Sequence, residues 1–89
     1  MAKGVTTMTE RLTHITLVEK GVHQLLPGEI TQHTQSKRWY IGCPGCHSAA
    51  NLGSHTVTET NGIVTVSPSI LCYGCNAHYF IENNQIRWC

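Results

Sequence analysis

Apolar and polar residues alternate most cleanly on either side of Asn61-Gly62. This dipeptide is the preferred loop of a type I′ hairpin, whose two central residues both need positive φ. A two-residue loop there pairs Val57 with Val66 and Glu59 with Val64. Val57, Val64 and Val66 then share one face, while Thr56, Thr58, Thr60 and Thr65 share the other. Turn chemistry and alternation agree, so the pattern predicts an antiparallel hairpin. His78 to Trp88 repeats the logic around Asn83-Asn84, pairing Ile81 with Ile86 and Tyr79 with Trp88. Those four side chains form an apolar face, with Phe80 and Arg87 on the opposite side.

The N-terminal half is less regular. Residues 1–10 show no apolar period and are expected to be a flexible segment, followed by a single domain over residues 11–89. Leu12 to Val18 is short and rich in β-branched residues, which predicts a strand. Glu19 to Leu26 allows only a fragile helix, interrupted by Gly21 and ended by Pro27-Gly28. Glu29 to Thr34 reads as a polar strand around Ile30, Gln35 to Lys37 as a loop, and Arg38 to Gly42 as a further strand. The class these elements predict is mainly β, a small antiparallel domain built from hairpins.

Cysteines change the picture most. Cys43-Pro44-Gly45-Cys46 and Cys72-Tyr73-Gly74-Cys75 are matched C-x2-C knuckles separated by about 25 residues. Two intervening residues make a tight turn that puts both sulfurs on one side, and glycine accepts the backbone angles such a turn demands. Two knuckles from distant segments supply the four thiolates of a tetrahedral zinc-ribbon site. Cys43, Cys46, Cys72 and Cys75 are therefore the expected ligands of one structural Zn2+. His78 is the alternative fourth ligand, because Cys75-Asn76-Ala77-His78 is itself a C-x2-H arrangement that would leave Cys72 outside. His78 otherwise reads as a strand residue near the site, and His47 as a solvent-facing neighbour. His14, His23, His33 and His55 lie at no ligand spacing from a cysteine, and Cys89 reads as a free thiol.

Length makes such a staple useful. With 89 residues, one Phe and two Trp, the chain sits near the lower limit for a self-sufficient core. Five cysteines, an odd number, four of them in matched knuckles, with no secretory signal favour metal over disulfides and place the chain in the cytoplasm. No apolar run is long enough to span a membrane. A net charge of +1 lacks the basic footprint of a phosphate binder, although Lys37-Arg38-Trp39-Tyr40 keeps nucleic acid open as the second reading. A closed four-thiolate zinc has no open position and is a poor Lewis acid. With no nucleophile motif and no paired carboxylates, the expectation is a protein-binding module and not an enzyme. A zinc hydrolase is the third reading.

Several segments resemble a known family. They are Leu26-Pro27-Gly28-x-Ile30, Cys43-Pro44-Gly45-Cys46 and Gly62-x-Val64-Thr65-Val66-x-Pro68-Ser69-Ile70, then Cys75-x-x-His78-Tyr79-Phe80-Ile81 and Asn84-x-Ile86-Arg87-Trp88. This order resembles small uncharacterised zinc-ribbon proteins of bacteria and phages, some encoded beside bacterial ubiquitin-like conjugation genes. The likeness spans about residues 12 to 88. It implies Cys75 and His78 as metal partners of Cys43 and Cys46, a pattern from which Cys72 departs. It also implies a bacterial or phage accessory protein, in the host cytoplasm if phage-encoded, that binds a host or conjugation-system protein. No activity comes with the resemblance.

Overall fold

The computed structural model describes residues 12–46 and 48–89. The expectations for residues 1–10 and for His47 lie outside the described residues. Two four-stranded sheets carry the fold. The first orders β1 (Thr16–Leu17), β2 (Glu29–Gln32), β3 (Trp39–Gly42) and β4 (Ala49–Asn51) side by side. The second orders β5 (Thr56–Thr60), β6 (Ile63–Leu71), β7 (His78–Glu82) and β8 (Gln85–Trp88). Helix is confined, among the described residues, to one 3-10 turn at Val22–Gln24, where Gly21 and Pro27 leave no room for more.

Both expected hairpins form in the expected register. Val57 lies opposite Val66 and Glu59 opposite Val64, with Asn61 and Gly62 at φ of 53° and 85°. Ile81 lies opposite Ile86 and Tyr79 opposite Trp88, across Asn83 and Asn84 at φ of 52° and 67°. Their apolar faces turn inward: Val64, Val66, Ile70, Tyr79, Ile81 and Ile86 are buried with Ile30 and Ile41 of the first sheet and Leu52 just after it. Asn84 joins the two hairpin tips, accepting from the Val64 N–H and donating to the Gly62 carbonyl.

Three features depart from the expected strand plan. β1 runs parallel to β2, a pairing across a loop that no local turn announces. β4 is a strand that Ala-Ala-Asn hardly advertises, since alanine and asparagine have low β-propensity. β6 runs on through Pro68 to Leu71, and its pairing with β7 slips between Val66, opposite Ile81, and Ile70, opposite Tyr79. Two extra β6 residues are thus accommodated in a bulge that ends at Ser69.

Gly42 shows how tightly the first sheet closes. A Cβ there would be driven into the backbone carbonyl of Leu26, because the Gly28 N–H reaches the Gly42 carbonyl at 2.8 Å. Backbone cannot move aside as a flexible side chain can. Gly42→Ala is expected to lower stability by roughly 3 kcal/mol in chemical unfolding.

Candidate functional site: a four-cysteine cluster beside a serine–histidine pair

The first knuckle follows β3 and the second joins β6 to β7. Each closes with a backbone bond across the turn, Cys43 N–H to Ser48 carbonyl and Cys72 N–H to Ala77 carbonyl, both at 2.8 Å. Together they bring the sulfurs of Cys43, Cys46, Cys72 and Cys75 within 4.8 Å of one another. Cross-knuckle separations are 3.6 Å for Cys43 to Cys75 and 3.7 Å for Cys46 to Cys72. A tetrahedral ion with bonds of about 2.3 Å to sulfur requires sulfurs about 3.8 Å apart, so the cage already has the right size. The four cysteines could hold one metal ion.

The electrostatics suit a thiolate centre. Hydrogen bonds from the Ser48 backbone and hydroxyl bring Cys46 down to about 6, so it is ready to bind as thiolate near neutrality. Burial pushes Cys43 well above the usual thiol range, the cost that a cation would offset. The Tyr79 hydroxyl is buried with no hydrogen-bond partner among the described residues, and burial plus the nearby charge of Cys43 and the other sulfurs opposes its ionisation. Gly45 and Gly74 make room: added Cβ atoms would stand 3.1 Å from Cys75 Sγ and 3.3 Å from Ser48 Oγ, respectively.

His78 is outside this cage. Its Nε2 lies 2.7 Å from the hydroxyl of Ser69. Ser69 ends the β6 bulge and His78 opens β7 opposite Leu71, so the bulge sets the serine diagonally against the imidazole. Both side chains lie on the outer face, since the next residue on each strand, Ile70 and Tyr79, is buried in the core. From the other side His55 Nε2 donates to the Ser69 backbone carbonyl at 3.0 Å, fixing the backbone that carries the hydroxyl. Among the described residues no carboxylate is hydrogen-bonded to His78 Nδ1, so the arrangement is a dyad. A hydroxyl bonded to an imidazole nitrogen is the minimal device for turning serine into a nucleophile.

The second knuckle is also the link between these two groups. Ile70 and Leu71 lead from Ser69 into Cys72, and Asn76 and Ala77 lead from Cys75 into His78. Whatever fixes Cys72 and Cys75 fixes the spacing of the dyad.

Fold and site together define a small β-protein in which a four-cysteine cage braces an exposed serine–histidine pair. The chain belongs to the BubE family, described as bacterial ubiquitination-like system serine protease, whose model matches residues 17–89. No match was found among curated proteins or among solved structures. Family membership corrects the expectation that the chain is not an enzyme. That expectation rests on a closed metal site and on the lack of a nucleophile motif or paired carboxylates along the chain. Its chemistry of closed thiolate sites stands, but a serine needs no open metal position.

The sequence alone gives Ser69 no role, and reads His78 as an alternative ligand or a strand residue near the metal site and not as a base. The one available signal was that both fall inside the segments that carry the family resemblance, Pro68-Ser69-Ile70 and Cys75-x-x-His78. Ser69 and His78 are nine residues apart on different strands, so no compact motif marks them.

Proposed function

We propose that the chain is a serine protease of a ubiquitin-like conjugation system, with Ser69 as nucleophile and His78 as general base. It would hydrolyse an acyl bond of a ubiquitin-like modifier, either in a precursor or in a conjugate. The observation that carries this reading is the 2.7 Å contact between Ser69 Oγ and His78 Nε2 on an exposed face. The family's description supports both the reaction class and the system. The chemistry follows from the pair. Ser69 Oγ attacks the carbonyl carbon while His78 Nε2 takes the hydroxyl proton. His78 returns that proton to the leaving group as its bond to the carbonyl carbon breaks, which leaves an ester on Ser69. Water, deprotonated by His78, attacks that ester and releases the carboxylic acid product with Ser69 restored.

Cys43, Cys46, Cys72 and Cys75 are proposed to hold a single structural Zn2+, with His78 free for catalysis. When bound, the ion would neutralise thiolate charge and cross-link the knuckles. Catalysis is assigned to the dyad alone. His78→Gln keeps a polar side chain but removes the base, and is expected to lower turnover of internally quenched octapeptides by at least about 10³-fold. Zinc content should stay at one per chain. Loss of zinc in His78→Gln would return the histidine to the metal site and remove it from the dyad.

A further inference from the structure

Beside Ser69 lies a cleft of about 450 Å³ between the two sheets. One wall is β4 with Ala49, Ala50 and Asn51, and the other is the end of β6 with Ser69, Ile70 and Leu71. Both walls are strand edges. Among the described residues, β4 pairs only with β3, and β5 reaches β6 only as far as Ser67, so the last β6 residues have β7 on one side and the cleft on the other.

The direction of the edge groups follows from the ladder. The Cys43 N–H bonds the Ser48 carbonyl and the Leu52 N–H bonds the Trp39 carbonyl. Ser48 and Leu52 therefore face β3, and so does Ala50, opposite Ile41. Ala49 and Asn51 alternate with them, so their N–H and C=O groups point away from β3, along the free edge. On the facing wall, Cys72 bonds toward β7 through the Ala77 carbonyl, which turns the neighbouring Leu71 and Ser69 backbone groups the other way. The Ser69 carbonyl does face that way, where His55 holds it.

We infer that this cleft is the substrate channel, and that it takes one extended polypeptide segment added as a fifth strand to the free edge of β4. This rests on the serine-protease reading and deepens it. A segment paired with Ala49 and Asn51 runs along the wall that carries Ser69, which brings a backbone carbonyl to the nucleophile without any side-chain pocket. Small side chains at Ala49, Ala50 and Gly74 let a second backbone approach closely. Recognition by strand addition draws affinity from main-chain hydrogen bonds. A folded substrate would therefore have to present an extended terminus or linker.

The test uses the metal-loaded full chain and the best-cleaved member of an internally quenched octapeptide library, remade with one amide N-methylated at a time. Cleavage is expected to fall at no fewer than two amides spaced two residues apart, besides the scissile one. In parallel, Ala49→Pro removes an outward N–H without touching the β3 ladder, as proline is tolerated on the open side of an edge strand. It is expected to raise KM about tenfold with kcat nearly unchanged and one zinc retained. Uniform tolerance of N-methylation overturns the channel, whether or not Ala49→Pro folds. If wild type takes up a fluorophosphonate at Ser69 but cleaves no octapeptide, the channel is also wrong while the dyad stands. If Ser69→Ala cleaves as well as wild type, the protease reading itself falls.

Discussion

Ser69→Ala is expected to reduce hydrolysis by at least about 10³-fold while leaving the thermal midpoint within a degree or two of wild type. Both halves follow from where Ser69 sits. Among the described residues, its hydroxyl bonds only His78 on the outer face, while the structural bond at this residue is made by its backbone carbonyl to His55. Removing Oγ therefore deletes the proposed nucleophile and nothing that holds the sheet. His55→Ala should behave differently. It frees the Ser69 carbonyl and opens space in the wall of the cleft, so activity and stability should fall together. Turnover measured beside calorimetric unfolding separates the two cases. A Ser69→Ala chain that keeps more than a tenth of wild-type turnover would mean that another group attacks the substrate.

Metal removal is expected to have the largest effect on the fold itself. Structural zinc contributes roughly 10–16 kcal/mol of apparent binding free energy, more than the net stability of most small domains. The core of this chain is built mainly from Ile, Val, Leu and Tyr side chains, and Cys43 and Cys72 are buried with them. Strong chelation, or Cys43→Ser, should abolish cooperative unfolding as followed by circular dichroism and tryptophan fluorescence. Activity should vanish in step, because Cys72 and Cys75 bound the turn that joins Ser69's strand to His78's. A catalytic metal would give another pattern, with activity lost and the hairpins intact. Native hairpins and full stability after zinc removal would refute the structural role.

What was legible in the sequence was what depends on neighbours along the chain. Asn61-Gly62 and Asn83-Asn84 specify their turns by positive φ, and the alternating side chains then fix register and inward face. The knuckles were legible because C-x2-C geometry is local, and their convergence follows from strands that the same patterns predict. The dyad was not legible because it depends on a slip of register. Alternation along β6 says nothing about two extra residues between Val66 and Ile70, yet those residues decide that Ser69 meets His78. β4 and the parallel β1–β2 pair escaped for a related reason. Ala49–Asn51 is held by its place between the first knuckle and Leu52, and Thr16–Leu17 by a bond from the Thr16 N–H to the Gly28 carbonyl. These are long-range constraints, and they override weak local propensity.

The central claim is that zinc-loaded protein carries an activated serine at position 69. Fluorophosphonate labelling followed by peptide mapping tests it most directly, because the reagent modifies a serine only where a base has activated it. A single adduct on Ser69, absent from His78→Gln and lost on chelation, is the predicted result. An adduct on Ser48, Ser54 or another serine, or labelling of Ser69 that persists unchanged in His78→Gln, would contradict the account.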